Sequence, residues 1–164
     1  MAIPDKLSVG ASSSSDEGVK LVGLYLCVGQ EWEKSCEIRN NGALVSVQTI
    51  LKDLAKSFLE EMKDRKIHHR LMIAVDPDFQ RLKIGTMLLR KCLKLAYQRQ
   101  YEYSYGEATN PRSISILLKT KGSKINNRII YNHWNGTEEN CSFDVKGATE
   151  CNLISIDLKQ WIVS

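Results

Sequence analysis

Residues 71–89, LMIAVDPDFQRLKIGTMLL, have the composition and order needed to hold an anion. An apolar run ends at a proline turn, passes through a short basic loop and opens into an amphipathic segment. A helix starting there presents unpaired backbone N–H groups and the positive end of its dipole. The loop residues Gln80, Arg81, Leu82, Lys83, Ile84, Gly85 and Thr86 add side-chain cations and a glycine, which lets a backbone approach a ligand closely. A phosphate is the natural occupant. An ordinary strand-to-helix connection with solvated charges accounts for the same pattern.

A second helix start lies at Asn110-Pro111. Asparagine is a good N-cap, and proline at the first helical position loses no hydrogen bond. Beyond that helix Lys119, Lys121, Lys124 and Arg128 form a basic patch. It reads as a solvated turn or, if the loop at Gln80 takes a phosphorylated cofactor, as cations that steer it in. No metal centre is expected: His68 and His69 are strand neighbours pointing to opposite faces, and His133 has no acidic cluster beside it. Cys27, Cys36, Cys92, Cys141 and Cys151 are odd in number and never spaced as CxxC, so they read as reduced thiols with no base tied to any of them. Trp32, Trp134 and Trp161 form no stacking array. Asn135 and Asn140 open glycosylation acceptor triplets, which mark surface loops.

These residues need a scaffold, and 164 residues fit a single domain over 1–164 with a real core. Apolar content of 43% and charged content of 26% are ordinary for a globular chain. A net charge of +4 is too mild to argue for nucleic acid. No apolar run reaches membrane-spanning length and the start lacks a signal-peptide core, so a cytoplasmic location is expected. Strands are expected over 7–13, 19–28, 67–75, 101–109, 128–134 and 152–158, with a turn at 12–18 and a loop over 29–41. Val47, Ile50, Leu51, Leu54, Phe58 and Met62 recur at helical spacing, with Lys52, Asp53, Lys56, Glu60 and Glu61 opposite. Further helices are expected over 86–98, burying Leu88, Leu89, Cys92, Leu93 and Ala96, and from Pro111 to a cap near Gly122. The order β-β-α-β-α-β-α-β-β implies an α/β (α+β) fold, a mixed sheet covered by helices with one parallel β-α-β unit at its centre.

Taken together, VDPDFQRLKIGTMLL and EATNPRSISILLKTKG resemble the acetyl-CoA-binding motifs of the GNAT N-acetyltransferases. The tail, RIIYNHWNGTEENCSF followed by ECNLISIDLKQ, is similar to the ends of insect and invertebrate arylalkylamine N-acetyltransferases. The resemblance implies a mostly antiparallel sheet with helices on both faces, in which the parallel strands at 67–75 and 101–109 splay apart. It further implies that acetyl-CoA lies in that gap, its pantetheine arm on the backbone of Met72, Ile73, Ala74 and Val75. The pyrophosphate would rest on the loop Gln80–Thr86, and Asn110 matches the family's consensus asparagine. The implied activity is direct transfer of acetyl from the thioester to a primary amine, a small arylalkylamine, without metal, nucleic acid or membrane.

The resemblance also implies hydroxyl donors for the departing thiolate, and Ser113 and Thr109 stand at the matching places. Lys83 replaces the first motif glycine, and Leu117 stands where many relatives carry a tyrosine. The chain is expected to begin near the family's second strand, leaving no counterpart of the segment that bears the catalytic glutamate. No general base is therefore assigned, and Glu107 is the nearby carboxylate worth testing. Its plain alternative is a strand-end residue that faces solvent or pairs with a lysine. Two other functions fit the cofactor half: a shortened relative serving as a coenzyme A-binding or interaction module, and acetylation of a protein N-terminus or lysine.

Overall fold

A computed structural model describes residues 6–16, 18–29, 42–131 and 148–163. Strands β1 (Val9–Ser15) and β2 (Gly18–Gly29) form an antiparallel hairpin, with polar serines tolerated on β1 because it is the edge of the sheet. Helix α1 (Gly42–Glu61) follows, then β3 (Ile67–Val75), a single 3-10 turn at Pro77–Phe79, and helix α2 (Ile84–Gln98). After these come β4 (Tyr103–Ala108), α3 (Pro111–Leu118), β5 (Ser123–Ile130), β6 (Glu150–Asp157) and α4 (Leu158–Ile162). The six strands form one sheet in the order β1-β2-β3-β4-β6-β5. Among them only β3 and β4 run parallel, as the crossover through α2 requires.

Each face of the sheet carries its own apolar layer. Leu88, Leu89, Cys92, Leu93 and Ala96 of α2 pack with Val22, Tyr25, Cys27, Ile154 and Ile156. Burying each leucine contributes about 1.5–3 kcal/mol. On the other face Ile50, Leu54, Ala55 and Phe58 of α1 cover Ile67, Tyr105, Cys151 and Leu153. Strand β6 shows why both layers form: Leu153 faces one and Ile154 the other, so its apolar run serves a strand buried on both sides.

Several boundaries differ from the sequence expectation for identifiable reasons. Residues Ser12–Ser15, expected in the turn, continue β1 because their backbone pairs with β2 as far as Ser15↔Gly18. Strand β5 begins at Ser123 rather than at 128, since its Lys124 and Asn126 sit on the opposite edge of the sheet, where polarity is no obstacle. Helix α3 stops at Leu118, and Gly122 serves the turn into β5 instead: its φ is +78° and a Cβ there would meet the Asp157 carbonyl at 2.8 Å. Strand β6 ends at Asp157, whose carboxylate accepts from the Lys159 and Gln160 amides and starts the unanticipated helix α4. Val47 is 40% exposed, so among the side chains described on α1 Ile50 is the first that is buried. No described helix is long and apolar enough to cross a membrane. The readings on Trp32, Cys36, the loop over 30–41, His133, Trp134, Asn135, Asn140 and Cys141 lie outside the described residues.

Candidate active site

The parallel ladder covers only Ile67, His68 and His69 against Tyr103, Ser104 and Tyr105. Beyond it β3 continues beside β2 to Val75, and β4 continues beside β6 to Ala108. The sheet therefore forks. A bulge marks the point of departure: Cys27 opposes Arg70 and Leu26 opposes Met72, which leaves Leu71 without a partner on β2 and sharpens the local twist.

Arg70 straps the base of the fork. It is 3% exposed, and its Nη2 donates to the Ile154 carbonyl of β6 at 2.6 Å. To reach β6 from β3 the side chain crosses β4 at Gly106, where an ideal Cβ would lie 3.4 Å from Arg70 Nε and 2.6 Å from the Arg70 carbonyl oxygen. Neither Arg70 nor Gly106 is singled out by sequence spacing. A glycine inside an aromatic strand run is nonetheless a readable sign of close backbone approach.

Above the strap the arms diverge. Met72 and Ala74 of β3 are exposed, while Ile73 and Val75 are half-buried against the α2 layer. At the mouth of the fork the loop turns twice through left-handed backbone, with φ +66° at Arg81 and +61° at Lys83. Lys83 is the N-cap of α2 and gives no side-chain hydrogen bond to it, because an ammonium cannot accept one. The first amides of α2 are thus left for another acceptor. Ile84 packs over Gly23, where an added Cβ would come within 3.0 Å of it. A Cβ at Gly85 would meet nothing closer than Ile73 Cδ1 at 3.5 Å, so internal packing does not require a glycine there. Thr86 is half-buried and Gln80 exposed.

The left-handed conformation of Lys83 carries a direct consequence. A side chain there costs about 1 kcal/mol that glycine does not incur, partly offset by glycine's larger unfolded entropy. Lys83→Gly should therefore raise unfolding free energy by about 0.5 kcal/mol in a denaturant titration. A loss of stability would show that the ammonium makes a compensating contact.

The other arm ends at the α3 start as expected. Asn110 Oδ1 accepts from the Arg112 amide at 2.8 Å, Pro111 occupies the first turn, Thr109 is exposed and Ser113 half-exposed. Arg112 Nη1 donates to Gln80 Oε1 at 3.4 Å, so the two motif segments meet across the mouth. Glu107 departs from its plain alternative: its side chain is buried, and among the described residues it pairs with no lysine. Its Oε2 lies 2.8 Å from His69 Nε2, both side chains are more than nine-tenths buried, and His69 stacks on Tyr105 with centroids 4.3 Å apart. His69 belongs to the last parallel rung, and Glu107 lies two residues beyond that rung on β4.

A groove of about 700 Å³ runs from Thr86 between α2 and α3 to Trp161 and carries Arg90, Lys119 and Lys121. Of the expected basic patch, Lys124 and Arg128 instead lie on β5, and Arg128 pairs with Glu150 at 3.5 Å. The thiols also depart from the sequence reading. Cys27 and Cys92 bring their sulfurs within 3.1 Å, and Cys92 lies 3.8 Å from His68 Nε2. The hydrogen bond between them holds the Cys92 pKa down and raises that of Cys27; burial acts to raise both, and Arg70 lowers both.

The family model of the acetyltransferase (GNAT) family matches residues 20–121, which include both arms of the fork. No curated protein sequence matches significantly. Among solved structures, arylalkylamine N-acetyltransferase 2 of Aedes aegypti superposes with a TM-score of 0.73 at 18% identity, over 94% of this chain and 74% of its own. The polyamine N-acetyltransferase of Drosophila melanogaster, which forms N-acetylagmatine, gives 0.73 at 13% identity over 94% and 76%. The C-terminal condensation domain of Ebony, solved with β-alanyl-dopamine, gives 0.73 at 13% over 94% and 73%. At such identities the likeness is one of fold. With a matched family model spanning more than half its length and a mixed sheet that forks between its one parallel pair, the chain belongs to the acetyltransferase (GNAT) family.

Proposed function

We propose that the chain transfers acetyl from acetyl-CoA to a primary amine, with small arylalkylamines as substrates. The observation that carries this reading is the fork itself, an open strand edge leading to an uncapped helix start. The backbone of Met72, Ile73, Ala74 and Val75 holds the pantetheine arm, and the loop from Gln80 to Thr86 holds the pyrophosphate. Asn110 fixes the opposite arm by capping α3. The groove carrying Arg90, Lys119 and Lys121 suits the anionic nucleotide end.

Bound there, acetyl-CoA supplies an activated acyl group as a thioester. An alkylamine, with a pKa near that of lysine at ~10.4, arrives protonated and must lose a proton before attack. Glu107, oriented by His69, is the carboxylate at the fork that takes it. A backbone N–H of the open β3 edge stabilises the oxyanion, and Ser113 or Thr109 returns a proton to the departing thiolate.

Mixing the protein with acetyl-CoA and a panel of tyramine, tryptamine, agmatine and a lysine peptide tests this. Thiol release that depends on tyramine or tryptamine is the expected result. Acetyl-CoA binding without amine-dependent release would instead leave a coenzyme A-binding module, and no binding would remove the reading altogether.

A further inference from the structure

The acetyl-transfer reading leaves unused a polar cluster beneath the fork, on the α2 side of the sheet. Cys27 of β2 and Cys92 of α2 are both fully buried, and their sulfurs are 3.1 Å apart although the residues are 65 positions apart in sequence. His68 Nε2 stands 3.8 Å from the Cys92 sulfur, and its Nδ1 lies 2.8 Å from Ser104 Oγ. Arg70, opposite Cys27 across the β2–β3 ladder, adds a buried guanidinium whose Nε and Nη1 have no hydrogen-bond partner among the described residues. A cation so placed favours an anion beside it; Arg70 acts on both thiols, and Cys92, which also has His68 beside it, is the one better placed to ionise.

We propose that Cys27 and Cys92 form an oxidisable dithiol that closes to a reversible intramolecular disulfide when the protein meets a peroxide. The sulfurs need to approach by about 1 Å to reach the bond length of ~2.05 Å. A metal site is the weaker reading of the same atoms. Two thiolates on tetrahedral zinc stand roughly 3.8 Å apart, given Zn–S bonds of ~2.3 Å, and the adjacent guanidinium repels a divalent cation.

The step balances with hydrogen peroxide as oxidant. The Cys92 thiolate attacks one peroxide oxygen, the O–O bond breaks, and hydroxide leaves to be protonated to water. Cys27 gives up its proton and attacks the resulting sulfenic sulfur; the S–S bond forms, the S–O bond breaks and a second water departs. Two thiols are oxidised by two electrons in all, and both peroxide oxygens end as water. Because both sulfurs are buried, the reaction proceeds through local opening and runs slower than at an exposed thiol. The product ties β2 to the helix that begins in the Gln80–Thr86 loop.

The full chain, treated with stoichiometric hydrogen peroxide and alkylated under denaturing conditions, should yield a peptide linking Cys27 to Cys92 on non-reducing mass mapping. Dithiothreitol should release it. Cys151 serves as an internal control: burial pushes its pKa up to about 12, so it should be recovered as an alkylated thiol. Cys27→Ser and Cys92→Ser should each abolish the cross-link, with circular dichroism checking that they fold; the wild-type map stands without them. Recovery of both residues as alkylated thiols, or of Cys92 as sulfinic acid with Cys27 free, would overturn the proposal. So would a metal ion copurifying one-to-one and lost on Cys27→Ser.

Discussion

Gly106→Ala should lower the unfolding free energy by about 3 kcal/mol, in the range set by overpacked interiors. The new methyl would stand 2.6 Å from the Arg70 carbonyl oxygen and 3.1 Å from Arg70 Cβ. A backbone oxygen cannot rotate away as a flexible side chain can, so β4 must withdraw from β3 or Arg70 must release Ile154. Either movement disturbs the base of the fork, and acetyl-CoA affinity should fall with stability. Urea titration together with calorimetric binding measures both. Gly85→Ala is the matched control, since its methyl makes only an ordinary contact at 3.5 Å. It should leave stability within about 1 kcal/mol. Equal stability losses at the two positions would show that the strap is not what demands Gly106.

Glu107→Gln should reduce kcat for an arylalkylamine by about 100-fold or more, with the KM for acetyl-CoA changed less than about threefold. Glutamine keeps the shape and can still hydrogen bond to His69, so the charge is what changes. Glu107→Leu goes further and leaves a buried imidazole without its carboxylate, at a cost of about 3 kcal/mol in stability. The two variants separate proton transfer from structural support: a purely structural Glu107 would give a stability loss in the leucine variant and nearly normal turnover in the glutamine variant. Rates measured at saturating acetyl-CoA over a series of amine concentrations decide between them.

The elements that position the motifs are legible in the sequence because their signals are local. Residues Ile67–Val75 form a strand at both ends as expected, and the five residues expected to be buried on α2 are buried. The Asn110 cap with Pro111 behind it is likewise decided within four residues. What local pattern cannot carry is pairing at a distance. The unopposed Leu71, the strap from Arg70 to Ile154 and the contact of Cys27 with Cys92 depend on registers set across the sheet. Glu107 is singled out as a carboxylate near the fork, but its burial against His69 depends on β3 and β4 standing side by side. Strand β5 is misplaced for a related reason: an edge strand with polar residues shows little alternation, and its pairing with β6 locates it.

The short parallel ladder makes the sheet resemble an open book. Strands β1-β2-β3 are one leaf and β4-β6-β5 the other, bound along a spine of three rungs, the Arg70 guanidinium and the side-chain contacts of His68 with Ser104 and His69 with Glu107. Motion about such a spine is levered: a slight rotation at His69 and Tyr105 becomes a larger displacement at Val75 and Ala108, near the free corners of the leaves. Side chains packed on the spine can therefore tune how wide the leaves stand without touching anything that lies between them. Substitutions that alter ligand fit in this chain should accordingly be sought on the spine as much as on the lips of the opening.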